Sequence, residues 1–117
     1  MKIADALLNK SEEIVLRELE IIAEDNGLRV FAKPRLSDVI VKGATHLSRR
    51  EFDFYTRAHV DFAITDDASK PIMVVEYDGP SHTELSQIER DKIKDALCVD
   101  AGLGILRMAR RYFKWVS

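Results

Sequence analysis

Three segments decide how this chain folds: HVDFAIT at residues 59–65, IMVVEYDGPSH at 72–82, and QIERD at 87–91. The first two have the composition of β-strands, and a strand turns successive side chains to opposite faces. Glu76 and Asp78 are two apart, so they share a face, while Val75 and Tyr77 share the other. In the first segment Asp61 falls with the small residues Ala63 and Thr65, leaving Val60, Phe62 and Ile64 as the apolar face. Five residues, DDASK, separate the runs ahead of Pro71, and Asp66 and Asp67 there read as turn residues. A turn that short predicts an antiparallel pair, which brings three carboxylates together. Clustered carboxylates repel, and one stays protonated unless a cation sits between them. One or two carboxylates, with water and phosphate completing the shell, are the usual protein contribution to a Mg²⁺ site.

Outward from this centre, Ser11–Asp25 reads as a first helix. Ile14, Leu16, Leu19, Ile21, Ile22 and Ala23 form a broad apolar side, Glu12 and Glu13 lie in the first turn, and Asn26-Gly27 is the stop. LRVFAKPRL at 28–36 is a first strand that Pro34 either confines to an edge or ends. Ser48 and Glu51 have capping-box spacing, so a short helix to about Tyr55 competes there with an extended reading. The second strand spans about His59–Thr65 and the third about Ile72–Tyr77. A second capping box, Ser86 with Glu89, opens a helix that runs to about Asp100 and stops at Gly102. Residues 103–107 form a last strand, parallel to the third after a right-handed crossover.

The 117 residues form one domain, 1–117, large enough to bury a core without staples. With 46% apolar and 32% charged residues the chain is an ordinary globular one. Its single cysteine, Cys98, excludes an intrachain disulfide and a Cys-rich zinc site, and reads as a half-buried helix residue in a reducing compartment. The N-terminal ten residues have the pattern of neither a signal peptide nor a membrane span, so a cytoplasmic protein without a membrane partner is expected. A net charge of −2 argues against a large DNA-coating surface, though an acidic metal site can offset a local basic rim.

Asp61-Phe62, the run EYDGPSH from Glu76 to His82, Arg90-Asp91 and Leu106-Arg107 together resemble the PD-(D/E)XK nuclease superfamily. The likeness runs from about Glu12 to Met108. Within the superfamily it is similar to small domains of the DUF2726 and DUF559 type, related to very-short-patch-repair endonucleases. The resemblance implies an α/β, restriction-endonuclease-like core with a mixed four-stranded sheet flanked by helices, in the order αβββαβ. It implies a Mg²⁺- or Mn²⁺-dependent DNA endonuclease acting in repair or processing. Asp61, Glu76 and Asp78 would hold the metal, His82 would complete the site, and Glu13 would stand beside it. One departure matters: where the superfamily has E-x-K, Asp78 stands in place of the lysine.

Gln87, Arg90, Asp91 and Lys94 follow at helical spacing as one polar stripe, with Ile93, Ala96 and Leu97 on a packing side. The stripe is either solvated or leans over the strand ends. In the second case Arg90 pairs with an acid or a phosphate, and Lys94 or Gln87 takes over the orientation of the attacking water. The tail RMARRYFKW carries Arg107, Arg110, Arg111 and Lys114 among aromatics. It is either a rim for DNA, single-stranded or branched, or a short helix or extended tail sealing the core. A dimer contact or a junction to a larger DNA-processing protein also fits. From a different functional class, a catalytically silent nucleic-acid-binding or protein-docking module would account for the missing E-x-K lysine. The bland readings of Glu12 and Glu13 as helix caps, and of His82 as a turn residue, compete with their places in the site.

Overall fold

The computed structural model describes residues 1–43, 46–78, 85–109 and 114–116, without the side chains of Asp78, Leu85, Ala109 and 114–116. Helix α1 (Lys10–Asp25) begins at a full capping box: the Asn9 carboxamide accepts from the Glu12 amide at 2.8 Å, and Glu12 accepts from the Asn9 amide at 2.9 Å. Its end is set by Gly27 at φ +66°, which lets the Leu28 amide turn back to the Ala23 carbonyl at 2.8 Å. Strand β1 (Arg29–Ala32) stops short of Pro34. A short helix α2 (Leu36–Val39), absent from the sequence reading, leads to helix α3 (Arg49–Arg57). The Ser48–Glu51 box is used in both directions at α3, which decides the helix-or-strand question for that segment.

Strands β2 (Phe62–Thr65) and β3 (Pro71–Asp78) pair antiparallel, as the short turn requires. Asp66 closes that turn by accepting from the amides of Ala68 and Lys70 at 3.0 and 2.8 Å. Helix α4 (Leu85–Ala101) carries the chain back across the sheet, so strand β4 (Gly104–Ala109) lies parallel to β3. Since α4 already includes Ser86 in its first turn, that serine is not the residue preceding the helix that a capping box needs. Strand β5 (Lys114–Val116) pairs antiparallel with β4, so part of the basic tail is extended rather than helical. The sheet order is β1-β2-β3-β4-β5: the four expected strands plus one at the far edge. The helices flank this mixed sheet.

Each face has its own apolar core. On one, Val15 and Leu19 of α1 meet Phe62, Ile64, Val75 and Met108. On the other, Leu36, Ile40 and Tyr55 meet Val60, Ala63, Val74, Leu97 and Cys98. Alternation along β3 therefore holds, but Val60 corrects the expectation for the first segment. Regular pairing ends at Phe62, the chain bends at Asp61, and Val60 packs on the face opposite Phe62 and Ile64. On α1 the apolar side is also narrower than expected. Val15, Leu19 and Ala23 are buried, whereas Ile14, Ile21 and Ile22 are exposed, because a helix lying on a sheet buries one stripe. On α4, Cys98 is fully buried and Ala96 exposed, and burial raises the Cys98 thiol to a pKa of about 11, leaving it unreactive.

The loop after α2 is held by one phenol. Tyr55 donates to the Ile40 carbonyl at 2.8 Å and accepts from the Lys42 amide at 3.1 Å. Tyr55→Phe keeps the ring but strands both backbone groups, so a loss of about 1–2 kcal/mol is expected in thermal unfolding. A wild-type melting curve would mean that water replaces the phenol at no cost.

Candidate functional site

Where β2 and β3 part, ordinary ladder bonds give way to side chains. Phe62 pairs with Val75, and one step further Asp61 faces Glu76. There the Asp61 amide donates to Glu76 Oε2 at 3.0 Å, and the Tyr77 amide donates to Asp61 Oδ2 at 2.6 Å. Each acid thus holds the backbone of the opposite strand, and both carboxylates are fixed at the splayed end of the pair. Glu76 is 3% exposed, and a carboxylate that deep requires partners.

The partner comes from α4. Lys94 Nζ pairs with Glu76 Oε1 and also donates to the His59 carbonyl at 2.9 Å. The side chains of Lys94 and Glu76 are 12% and 4% exposed, so this is an interior ion pair. The helix is held there by its apolar residues Leu97 and Cys98 on the sheet and by a second polar contact. Arg107, beside Glu76 in the parallel register, reaches Asp95 Oδ1 at 2.6 Å and Asp91 Oδ2 at 3.6 Å. Gln87 in turn donates to Asp91 Oδ1 at 3.0 Å.

One cation faces two acids in the Asp61–Glu76–Lys94 cluster, and the imbalance shows in Asp61. Burial, then the negative charge of Glu76, push its pKa up from the ordinary carboxylate value to about 7. The Tyr77 amide and, more weakly, Lys94 act the other way. A carboxyl in this position takes up a proton near neutrality, or a cation in its place. The Asp61 and Glu76 carboxyls also lie within hydrogen-bonding reach of each other, so a hard cation binding there would take the place of the proton they share. Among the described residues no group of three or more His, Cys, Asp or Glu is placed to hold a metal ion.

The expected site residues divide accordingly. Asp61, Glu76 and Lys94 come together, whereas Gln87 bonds to Asp91, which pairs with Arg107. Asp78 ends β3 two residues beyond Glu76, with its side chain outside the described residues; His82, Arg110 and Arg111 also lie outside them, as does the Lys114 side chain. Glu13 is exposed. It is Glu12 whose side chain is largely enclosed, 13% exposed and 3.4 Å from Lys33 Nζ, and the Lys33 amide donates to the Asp61 carbonyl at 2.8 Å. Arg90 is exposed too, and among the described residues no ion pair or hydrogen bond joins it to Asp61 or Glu76. Arg107, expected on a nucleic-acid rim, is committed to α4 by two ion pairs. The sequence reading missed that clasp, though the register Glu76–Arg107 with Asp91 and Asp95 one turn apart carried its signal.

Fold and site together define a mixed α/β domain with an acid–lysine cluster at the parting of its central strands. Residues 4–114 match the family described as "Protein of unknown function (DUF2726)", and the chain belongs to that family. An "Uncharacterized protein" of Haemophilus influenzae is 26% identical over 111 residues, covering 93% of this chain and 56% of that relative. The chain therefore spans little more than half of the relative's length. No solved structure matches the chain significantly. Among the described residues no helix is long and apolar enough to cross a membrane.

Proposed function

We propose that this domain is a metal-dependent phosphodiester hydrolase of the PD-(D/E)XK type that cleaves DNA in repair or processing. The observation that carries the reading is the convergence of Asp61, Glu76 and Lys94 at the parted ends of β2 and β3. In the E-x-K pattern the lysine stands two residues after the glutamate on the same strand. Here Asp78 has that position, and a lysine from α4 reaches Glu76 instead. An ammonium delivered from a helix supplies the same charge at the same carboxylate.

Asp61 and Glu76 would hold Mg²⁺ or Mn²⁺, with Asp78 and His82 as candidates to complete the site. The ion would supply Lewis acidity toward the scissile phosphate and charge stabilisation as its oxygens become more negative. The remaining work falls to the chain. The Tyr77 and Asp61 amides fix the two carboxylates before substrate arrives, which removes a reorganisation cost. Lys94 neutralises part of the negative charge that would otherwise repel a phosphate, and its ammonium can orient an attacking water. Gln87, held on Asp91, stands two helical turns away.

Calorimetric titration with Mn²⁺ and cleavage of plasmid and single-stranded DNA test this in the wild type, Asp61→Ala and Glu76→Ala. We expect one Mn²⁺ site in the wild type, lost in both variants, with cleavage lost alongside it. Equal behaviour of the three proteins would remove the proposal. Mn²⁺ binding without cleavage would favour the silent nucleic-acid-binding or docking module, for which Asp78 in place of the E-x-K lysine is the supporting observation.

A further inference from the structure

Where α4 crosses β3 and β4, acids and cations are paired crosswise. Glu76 and Arg107 are neighbours in the parallel register, and each stands two residues on from an apolar residue, Val74 or Ile105, of the sheet face that α4 covers. On α4, Asp91 precedes Lys94 by three residues and Asp95 by four, so the three share one side of the helix. Local spacing therefore offers two pairs: Arg107 with Glu76 across the strands, and Lys94 with Asp91 along the helix. The observed pairing crosses both. The lysine of the helix goes to the acid of the strand, where Lys94 Nζ binds Glu76 and the His59 carbonyl. The arginine of the strand goes to the acids of the helix, 2.6 Å from Asp95 Oδ1 and 3.6 Å from Asp91 Oδ2.

Reach and shape account for the crossing. Asp91 and Asp95 stand about one turn apart, and the two arms of a guanidinium span them as a compact ammonium does not. Lys94, a point charge on a long stem, fits the enclosed place between Glu76 and His59. Burial makes the choice consequential. The Asp91 and Asp95 side chains are 18% and 48% exposed, whereas Glu76 is buried. An ammonium drawn to Asp91 would keep more of its water and would leave a carboxylate inside the protein without its cation. Cys98, fully buried and one turn beyond Lys94, feels the charges of Lys94, Asp95, Glu76 and Arg107, so all four surround one buried point, where charges are weakly screened.

We propose that Arg107 is a positioning residue that selects the partner of Lys94: by holding Asp91 and Asp95 it removes the competing acids of α4 and keeps the ammonium on Glu76. The packing of Leu97 and Cys98 sets how α4 is rotated, and Arg107 sets which acid the lysine answers. The proposal rests on the hydrolytic reading above for the use made of Lys94, and not for the choice of partner. In this role Arg107 acts through Lys94 and needs no contact with DNA.

The test is the coupling between Lys94 and Glu76, measured by urea unfolding at pH 8 in EDTA for Lys94→Met, Glu76→Gln and the two together. It is repeated in two backgrounds, Arg107→Gln and Arg107→Gln/Asp91→Asn/Asp95→Asn. Asparagine at position 91 keeps the oxygen that accepts from Gln87. Expressed as a ratio of unfolding constants, the coupling should fall about tenfold in Arg107→Gln and return to within about threefold of the wild-type value in the triple background. Overall stability should be lower in both backgrounds, because the clasp is gone from both, so the recovery belongs to the coupling alone. A coupling unchanged in Arg107→Gln, or equally low in both backgrounds, would overturn the proposal; the second result would mean that the clasp only holds the helix in place. Should Arg107→Gln fail to fold, the triple background decides: wild-type coupling there supports the proposal, and reduced coupling or failure to fold overturns it. Mn²⁺ titration and plasmid cleavage in the same backgrounds separate the two readings. A coupling that falls and recovers, in a protein that neither binds Mn²⁺ nor cleaves, refutes the hydrolytic reading alone. Cleavage by the wild type with coupling unchanged in Arg107→Gln refutes the positioning role alone.

Discussion

Lys94→Met is expected to lower stability by about 3 kcal/mol at pH 8, the cost of leaving a buried carboxylate without its counter-charge. For a chain of this length that corresponds to about 12 °C in melting temperature. The methionine fills nearly the same volume, so the loss reports charge rather than a cavity. Glu76 retains the Asp61 amide after the change, but it then faces a second acid with no cation between them. Asp61, which Lys94 helps to keep ionised, would be easier to protonate without it, so the deficit should shrink as pH falls toward 5. Glu76→Gln should absorb much of the loss in a double-mutant cycle, since an amide needs no counter-ion. Where the wild type cleaves DNA, the single variant should not. A variant melting within about 2 °C of the wild type would mean that water reaches Glu76 freely, and the interior ion pair would have no energetic standing.

Asp61→Asn is expected to act in the opposite direction. The carboxyl has a folded-state pKa of about 7 against about 3.9 in an unfolded chain. A raised acid contributes its full stability below the unfolded value, and that stability is lost as pH rises through the folded value. The metal-free wild type should therefore match Asp61→Asn near pH 4 and fall behind between about pH 4 and 7. The full shift is discounted because Asp61 is only partly buried and interacts with Glu76. On that basis the variant should be more stable by about 2 kcal/mol at pH 8. Asparagine keeps an oxygen for the Tyr77 amide, so the comparison isolates the charge. Millimolar Mn²⁺ should restore the wild type by mass action on the folded state and leave the variant nearly unmoved. Parallel stability–pH curves for the two proteins, with equal responses to Mn²⁺, would show that Asp61 carries no unusual charge cost.

Much of this site was legible along the chain because strand alternation is a local property. The faces of Glu76, Val75 and Tyr77, the antiparallel pairing of β2 with β3 and the parallel return to β4 all follow from period, turn length and crossover handedness. Val60 escaped the pattern for a reason visible only in three dimensions. Its segment leaves the regular ladder at Asp61, where carboxylates replace backbone partners and the phase of alternation is lost. The new edge strand β5 was open for the same kind of reason: pairing with β4, rather than the residues of the tail, decides whether it is extended.

On the helices, period alone left more undecided. Arg90 and Lys94 are four apart and share a side of α4, but they lie about 6 Å apart along its axis. Only the docking of Leu97 and Cys98 on the sheet selects which of them stands over Glu76. Glu12 and Glu13 differ by a rotation of about 100° on α1, and the burial of Val15 and Leu19 turns Glu12 toward Lys33 and Glu13 outward. The sequence by itself determined the strand acids Asp61 and Glu76, the antiparallel pairing that brings them together and the DUF2726 family, because these depend on neighbours in the chain. Only the tertiary structure decided which cation meets them, because helix rotation and register are set by packing between residues far apart in sequence.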